Sequence, residues 1–305
     1  MDEARSLLDA GRYREAAQVL DGVLASRVLM SEPWALRGYA RFRMGDYTQA
    51  IADYSHALMM ERTPTLYYNR ALAYKRTGML REALIDLDAA LRINPDAVAV
   101  LFERGNVLAE MGQWAEAARW YERTLERAPE YRPAWLNLAK ARMETNQTTR
   151  ALEALDAALA LEVDSHALRM RSRCWLLQNR LAEAWEDAIE ALYLDPDNAD
   201  VYYLIGRIEQ QQGEQEAALR SFEAAVEVEP APRYWLAQAQ ALFEVGDYYR
   251  VVEACNEVLH LEPENPMAWE LRDKAYGAIE DLHRQWSVAN EVLVPQRKDA
   301  YGAGE

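Results

Sequence analysis

The sequence predicts an all-α solenoid of about nine stacked antiparallel helix pairs, and three observations predict it. The 305 residues repeat themselves about every 33 or 34 positions, the period of stacked helix-turn-helix units. Columns of large and small side chains recur at helical spacing inside each period, as interdigitating helices require. A proline recurs where five of the periods close, and proline neither continues a helix nor leaves the residue before it free to do so.

The first helix of each unit opens on a large anchor, the column Trp34, Tyr67, Leu101, Trp135, Leu168, Tyr202, Trp235 and Trp269. A turn later comes a column of small residues, Ala4, Gly38, Ala71, Gly105, Ala139, Ser172, Gly206 and Ala239, which lets a paired helix approach closely. The helix then stops at Gly11, Gly45, Gly78, Gly112, Asn146, Asn179, Gly213 and Gly246. Glycine, and next to it asparagine, tolerates the left-handed conformation that caps a helix C-terminus. The second helix answers with Ala50, Ala83, Ala117, Ala151, Ala184 and Ala218, and with Ala57, Ala90, Thr124, Ala158, Ala191 and Ala225. It closes at Pro95, Pro129, Pro196, Pro230 and Pro263.

On this reading the units begin near residues 1, 31, 64, 98, 132, 165, 199, 232 and 266, within one elongated domain over 1–294. An array contacts only its neighbours and grows without a second core. The first unit lacks its opening residues. The last is degenerate, with Asp273, Glu280 and Gln285 where small residues are expected, and polar replacements suit a solvent-facing cap. Residues 295–305 read as a short frayed tail.

Half of the chain is hydrophobic and 28% is charged, enough apolar surface to exclude disorder by composition. No apolar run approaches the roughly 20 residues of a membrane span, and the acidic, amphipathic start is unlike a signal peptide. A soluble cytoplasmic protein without direct membrane insertion is expected. Cys174 and Cys255 fall at apolar columns and read as core residues. The net charge of −16 argues against nucleic acid as a ligand, because phosphate binding needs a cationic footprint; it leaves room for a basic patch on one face.

Comparing units within the chain exposes a paired substitution. Arg37, Arg70, Arg104 and Arg171 precede the small column, and Asp53, Asp86 and Asp187 hold the equivalent place on the second helix, with Arg104 facing Trp120 instead. Where the arginine becomes Leu138, Ile205 or Gln238 the aspartate is gone as well. An ion pair inside each unit is predicted, worth about 0–1 kcal/mol if exposed.

No catalytic constellation is present: no phosphate-cradling glycine loop, no His-Glu-x-x-His, no Cys-x-x-Cys and no nucleophile elbow. Neither a cofactor nor a metal is expected, since His56, His166, His260 and His283 lie in distant units with no second ligand at helix spacing. Acidic runs such as Glu183, Glu186 and Asp187, or Glu227 and Glu229, read as wet helix faces.

Taken together, the columns of Trp/Tyr, Gly/Ala, Gly-x-Tyr, Ala, Tyr/Phe, Ala and Pro resemble the tetratricopeptide repeat over essentially the whole of 1–294. The resemblance implies a right-handed superhelix whose first helices line a concave groove. It points three columns into that groove: Ala35, Tyr68, Phe102, Leu136, Arg169, Tyr203, Leu236 and Glu270; then Leu36, Asn69, Glu103, Asn137, Met170, Leu204 and Ala237; and, a turn on, Tyr39, Leu72, Asn106, Lys140, Arg173, Arg207, Gln240 and Lys274. The candidate peptide-binding residues are therefore Tyr68, Asn69, Phe102, Asn106, Asn137, Lys140, Arg169, Arg173, Tyr203 and Arg207. Basic groups pair with carboxylates, asparagines hold backbone amides and aromatics cover apolar side chains.

The implied function is non-catalytic: a scaffold or adaptor holding an extended or helical segment of another protein, one that bears acidic groups. Two alternatives stand beside it. Co-chaperones of this family that grip a terminal carboxylate place Lys and Asn on one helix, Asn on the next, and Lys and Arg on the third; here Asn106 and Asn137 match, but Phe102, His166 and Met170 stand where cations are expected. A self-assembling or complex-assembly subunit is the other, since Trp286, Val288, Val292, Leu293 and Val294 give the last helix apolar surface that a cap does not need, making a homo-oligomer possible.

Overall fold

In the computed structural model the described residues are 1–26 and 30–293, with side chains described through residue 287. Every regular element among them is a helix, and the helices gather into two compact units, Met1–Glu162 and Val163–Glu305. The first unit stacks five antiparallel pairs: α1 (Asp2–Asp9) with α2 (Tyr13–Ala25), α3 (Ser31–Met44) with α4 (Tyr47–Met60), α5 (Pro64–Arg76) with α6 (Leu80–Ile93), α7 (Val98–Glu110) with α8 (Trp114–Arg127), and α9 (Arg132–Glu144) with α10 (Thr148–Leu161). The second stacks α11 (Ser165–Leu177) with α12 (Leu181–Leu194), α13 (Ala199–Gln212) with α14 (Gln215–Val228), and α15 (Pro232–Val245) with α16 (Tyr248–Leu261), and ends on α17 (Pro266–Leu293).

The eight turns inside the pairs share one device. Each contains a residue with φ between 57° and 87°, six glycines and the two asparagines Asn146 and Asn179. Only a residue that tolerates this left-handed region can end the first helix and reverse the chain so tightly. Where the ninth turn is due the sequence offers Glu280, and the chain does not turn. Instead of a ninth pair there is one helix of 28 residues.

Within a pair, volumes compensate at a separation of 16 residues. Gly38, Gly105 and Gly206 lie under the rings of Tyr54, Tyr121 and Phe222, so close that a Cβ on Gly105 or Gly206 would sit 2.6 Å from the ring. Where the small residue is Ala71 or Ala139, the residue 16 positions on is Leu87 or Leu155. Glycine thus stands opposite an aromatic ring and alanine opposite leucine, holding the interhelical space nearly constant. Ser172 keeps the column polar yet satisfied, donating its hydroxyl to the Ala184 carbonyl at 2.6 Å.

The predicted ion pairs form. Arg37, Arg70 and Arg171 each present a fork to Asp53, Asp86 and Asp187, with N to O distances of 2.7–3.0 Å. Their setting differs from the exposed pair and from the wet face expected for Asp187, because the three aspartates are only 1%, 2% and 5% exposed. The arginine stem crosses the interhelical contact and delivers its charge inside. Arg104 has its guanidinium 4.0 Å from the Trp120 ring centroid and its Nε 2.7 Å from Asp88. Both cysteines are fully buried, and burial pushes each thiol up to about 11.

On α17, Asp273, Glu280 and Gln285 are exposed, and a charged Asp273 in the small column leaves no slot for a packed aromatic. Trp286 is exposed as well. The side chains of Val288, Val292 and Leu293, all of Val294 and residues 295–305 lie outside the described residues.

Candidate functional site

The candidate residues fall on the first helices of both units, and each unit carries its own set. In the first unit, α5, α7 and α9 are tied together by a polar chain. Lys75 Nζ on α5 donates to Glu103 Oε1 on α7 at 2.7 Å, and the other carboxylate oxygen accepts from Asn106 Nδ2 at 3.0 Å. Asn106 Oδ1 then accepts from Asn137 Nδ2 on α9 at 2.8 Å and from the Tyr121 hydroxyl at 3.0 Å. Asn106 and Asn137, read from sequence as amides open to a ligand, are thus bonded to each other. Glu103, 8% exposed, neutralises Lys75 at the α5 end of the chain.

Aromatic rings border this chain. Phe102 lies 5.8 Å from Tyr121 and meets Tyr131 edge-on at 5.0 Å; it fills the place where the carboxylate-gripping pattern has a lysine. Tyr68 is half-buried, and burial, followed by nearby Glu103, pushes its phenol above the usual range. Asn69 is half-buried beside it, and Lys140 is exposed with its Nζ 5.7 Å from the Trp114 ring.

In the second unit the chain of contacts runs through a carboxylate. Asp200, in the first turn of α13, lies 3.1 Å from Arg169 Nη1 on α11 and 2.8 Å from Arg233 Nη1 on α15, and accepts from the Tyr234 hydroxyl at 3.0 Å. This anchors three first helices in register. Glu229 lies 4.0 Å from Arg233 Nη2 as well, so two cations meet two anions and the cluster is balanced. Burial, then Asp200, pushes the Tyr234 phenol up.

One turn past Arg169 on α11 stands Arg173, and one turn past Tyr203 on α13 stands Arg207. Both are exposed. Arg207 donates to the Tyr203 hydroxyl at 3.0 Å, and the Tyr203 ring is held by Phe222 and Tyr234, each 5.8 Å away. Neither arginine meets a carboxylate among the described residues. Their surroundings make that notable: residues 1–162 carry 21 Lys and Arg against 23 Asp and Glu, whereas residues 163–305 carry 13 against 27. Of the net −16, −14 belongs to the unit that bears Arg173 and Arg207.

Sequence reasoning missed Lys75, Tyr121 and Tyr131 in the first unit and Asp200, Arg233 and Tyr234 in the second. The signal for two of them sat in a column left unread, Glu32, Thr65, Ala99, Pro133, His166, Asp200, Arg233 and Met267. There an acid in one unit is followed by a base in the next, which is the pattern of a bridge between neighbouring units. Among the described residues no group of three His, Cys, Asp or Glu side chains could hold a metal ion, and no helix is long and apolar enough to cross a membrane.

Comparison with known proteins bears on the repeat more than on the site. One tetratricopeptide repeat family model matches residues 1–66, 68–132 and 203–266, and a second matches 108–174. Among curated proteins, the human DnaJ homolog subfamily C member 7 is 24% identical over 275 residues, 81% of this chain and 55% of the relative. The rat DnaJ homolog subfamily C member 3 is 24% identical over 71% of this chain and 56% of its own length. The chain thus spans little more than half of these relatives. A tetratricopeptide repeat protein of Parabacteroides merdae superposes with a TM-score of 0.65 at 17% identity, over 81% of this chain and 98% of its own. With its helix pairs, its turn column and family models matched over most of its length, the chain belongs to the tetratricopeptide repeat family.

Proposed function

We propose that this chain is a non-catalytic adaptor that holds an acidic segment of a partner protein, and that the first-helix face of its second unit receives the acidic groups. The observation that carries the reading is the pair Arg173 and Arg207, exposed and without a carboxylate in a unit of net charge −14. Other arginines of the unit are held by acids, as Arg169 is by Asp200, Arg180 by Glu183 and Arg250 by Glu223. Two exposed cations on rigid neighbouring helices, neither paired with a carboxylate among the described residues, suit a carboxylate ligand, because charge-assisted hydrogen bonds are stronger than neutral ones. Tyr203 beside Arg207 offers a ring for an adjacent apolar side chain.

The first unit contributes differently. Its half-buried rings, Tyr68 and Phe102, and its amides suit an uncharged stretch, since Lys75 and Glu103 cancel. Non-catalytic interaction is what the family's repeat fold generally serves, and the DnaJ relatives match this chain over little more than half of their own length.

The test is fluorescence anisotropy with a labelled peptide of alternating Glu and Leu, titrated with the native chain and with Arg173→Glu/Arg207→Glu. Affinity is expected to fall at least about tenfold while the thermal melt stays unchanged, both positions being exposed. Equal affinity for the two proteins contradicts the reading.

A further inference from the structure

Helix α17 carries a packing face farther than the array it packs on. Ala268, Leu271 and Ala275 set one stripe of the helix into the core formed with α15 and α16. At 100° per residue, Ile279, Leu282 and Trp286 fall on that same stripe. Yet Leu282 is 48% and Trp286 71% exposed. The Tyr249 hydroxyl, in the first turn of α16, meets His283 Nε2 at 2.9 Å, so α16 runs out level with residue 283. The helix goes on to Leu293, about 15 Å farther. An unsupported helical stretch of this length is marginal in water, and this one presents apolar side chains to solvent.

We propose that this continuation is a pairing seam for the same helix of a second copy of the chain. The spacing of Ile279, Leu282 and Trp286, three and then four, is the alternation of a two-helix seam, narrower than the stripe a helix buries against a globular face. The charges say which partner fits. His283 and Gln285 flank the seam and carry no acidic group, while Glu280, Asp281 and Arg284 lie on the far side and interact among themselves at 3.5–3.6 Å. Flanking charges are what select a different partner in paired helices, and here they are missing. A unit of net charge −14 repels its own copy over most of its surface; an edge without acids is where two copies can meet. The seam also continues an apolar face already used inside the fold, so a helix docked on it extends the array's own packing.

A seam of three layers buries well under the roughly 1,200–2,000 Å² of a standard interface, so the dimer is weak and concentration-dependent. This inference is independent of the peptide-binding face. Sedimentation velocity over a roughly hundredfold range of concentration tests it, with the native chain, Leu282→Gln/Trp286→Gln, Trp286→Gln alone and Arg173→Glu/Arg207→Glu. The native chain and the arginine variant are expected to rise from monomer toward dimer together. The double glutamine variant stays monomeric, and Trp286→Gln needs about tenfold more protein to reach the same sedimentation coefficient. A native chain that is monomeric throughout, a double glutamine variant that associates like the native chain, or an arginine variant that alone stays monomeric overturns the proposal.

Discussion

The aspartates of the repeated ion pairs show what one residue does when it is nearly sealed from water. Asp86 is 2% exposed and receives both arms of the Arg70 fork, so removing the arginine strands a buried carboxylate. Arg70→Ala is expected to cost about 3–5 kcal/mol, and Arg70→Ala/Asp86→Ala distinctly less, because the second change removes the unpaired charge. Urea unfolding of these two variants and of Asp86→Ala alone checks this; an Asp86→Ala change that costs as much with Arg70 absent as with it present would mean the pair is uncoupled. Glu209 is the opposite case. It is 7% exposed and meets the Ser221 hydroxyl at 2.5 Å, and burial, opposed by that bond, raises its carboxyl. A folded carboxyl raised above its unfolded value weakens the fold as pH climbs through the raised range, and costs nothing below the unfolded value, where both states are protonated. Glu209→Gln should therefore raise the urea midpoint at pH 7 and leave it unchanged at pH 3.5. The pairing of Arg70 with Asp86 was legible in the sequence because both residues vary together between units. Its burial was not, because spacing reports which residues meet and not how deep they lie.

At the scale of the element, the turn column marks all eight helix pairs and the 16-residue volume rule accounts for most of them, Ser172 with Ala188 and Ala239 with Cys255 standing outside it. The turn column was fully legible, including its loss at Glu280, which explains why α17 continues where a pair was expected. The volume rule was legible too, but only when Gly206 and Phe222, or Ala71 and Leu87, are taken as one unit of sequence. Gly206→Ala places a methyl 2.6 Å from the Phe222 ring and should cost about 1–3 kcal/mol. Adding Phe222→Leu recreates the combination found at Ala71 and Leu87 and should recover part of the loss in thermal melting. A double variant less stable than Gly206→Ala alone would contradict the rule. The amides at Asn106 and Asn137 mark where element-level reading stopped short. The columns placed both on first helices, but Glu103 takes the Asn106 Nδ2 and leaves its Oδ1 to Asn137, and that depends on side-chain reach across helices.

For the molecule as a whole, charge is distributed by unit and by face. Nearly all of the net negative charge lies in residues 163–305, where exposed acids such as Glu186, Glu190, Glu227, Glu253 and Glu257 line the second helices. The first helices of the same unit carry Arg173 and Arg207. The overall charge, read alone, hides this separation; the repeat columns reveal it, because a column follows one face through successive units. At physiological ionic strength charges more than about 8 Å apart are largely screened, so the exposed arginines act locally and an acidic segment need not be driven off by the outer face. The measurement that tests this most directly is a charge swap at constant salt, in which alternating Glu/Leu and Lys/Leu peptides are each titrated against the native chain and Arg173→Glu/Arg207→Glu. The native chain should prefer the acidic peptide and the variant the basic one. A preference that does not move when the two arginines are reversed would show that the acidic segment is not held there.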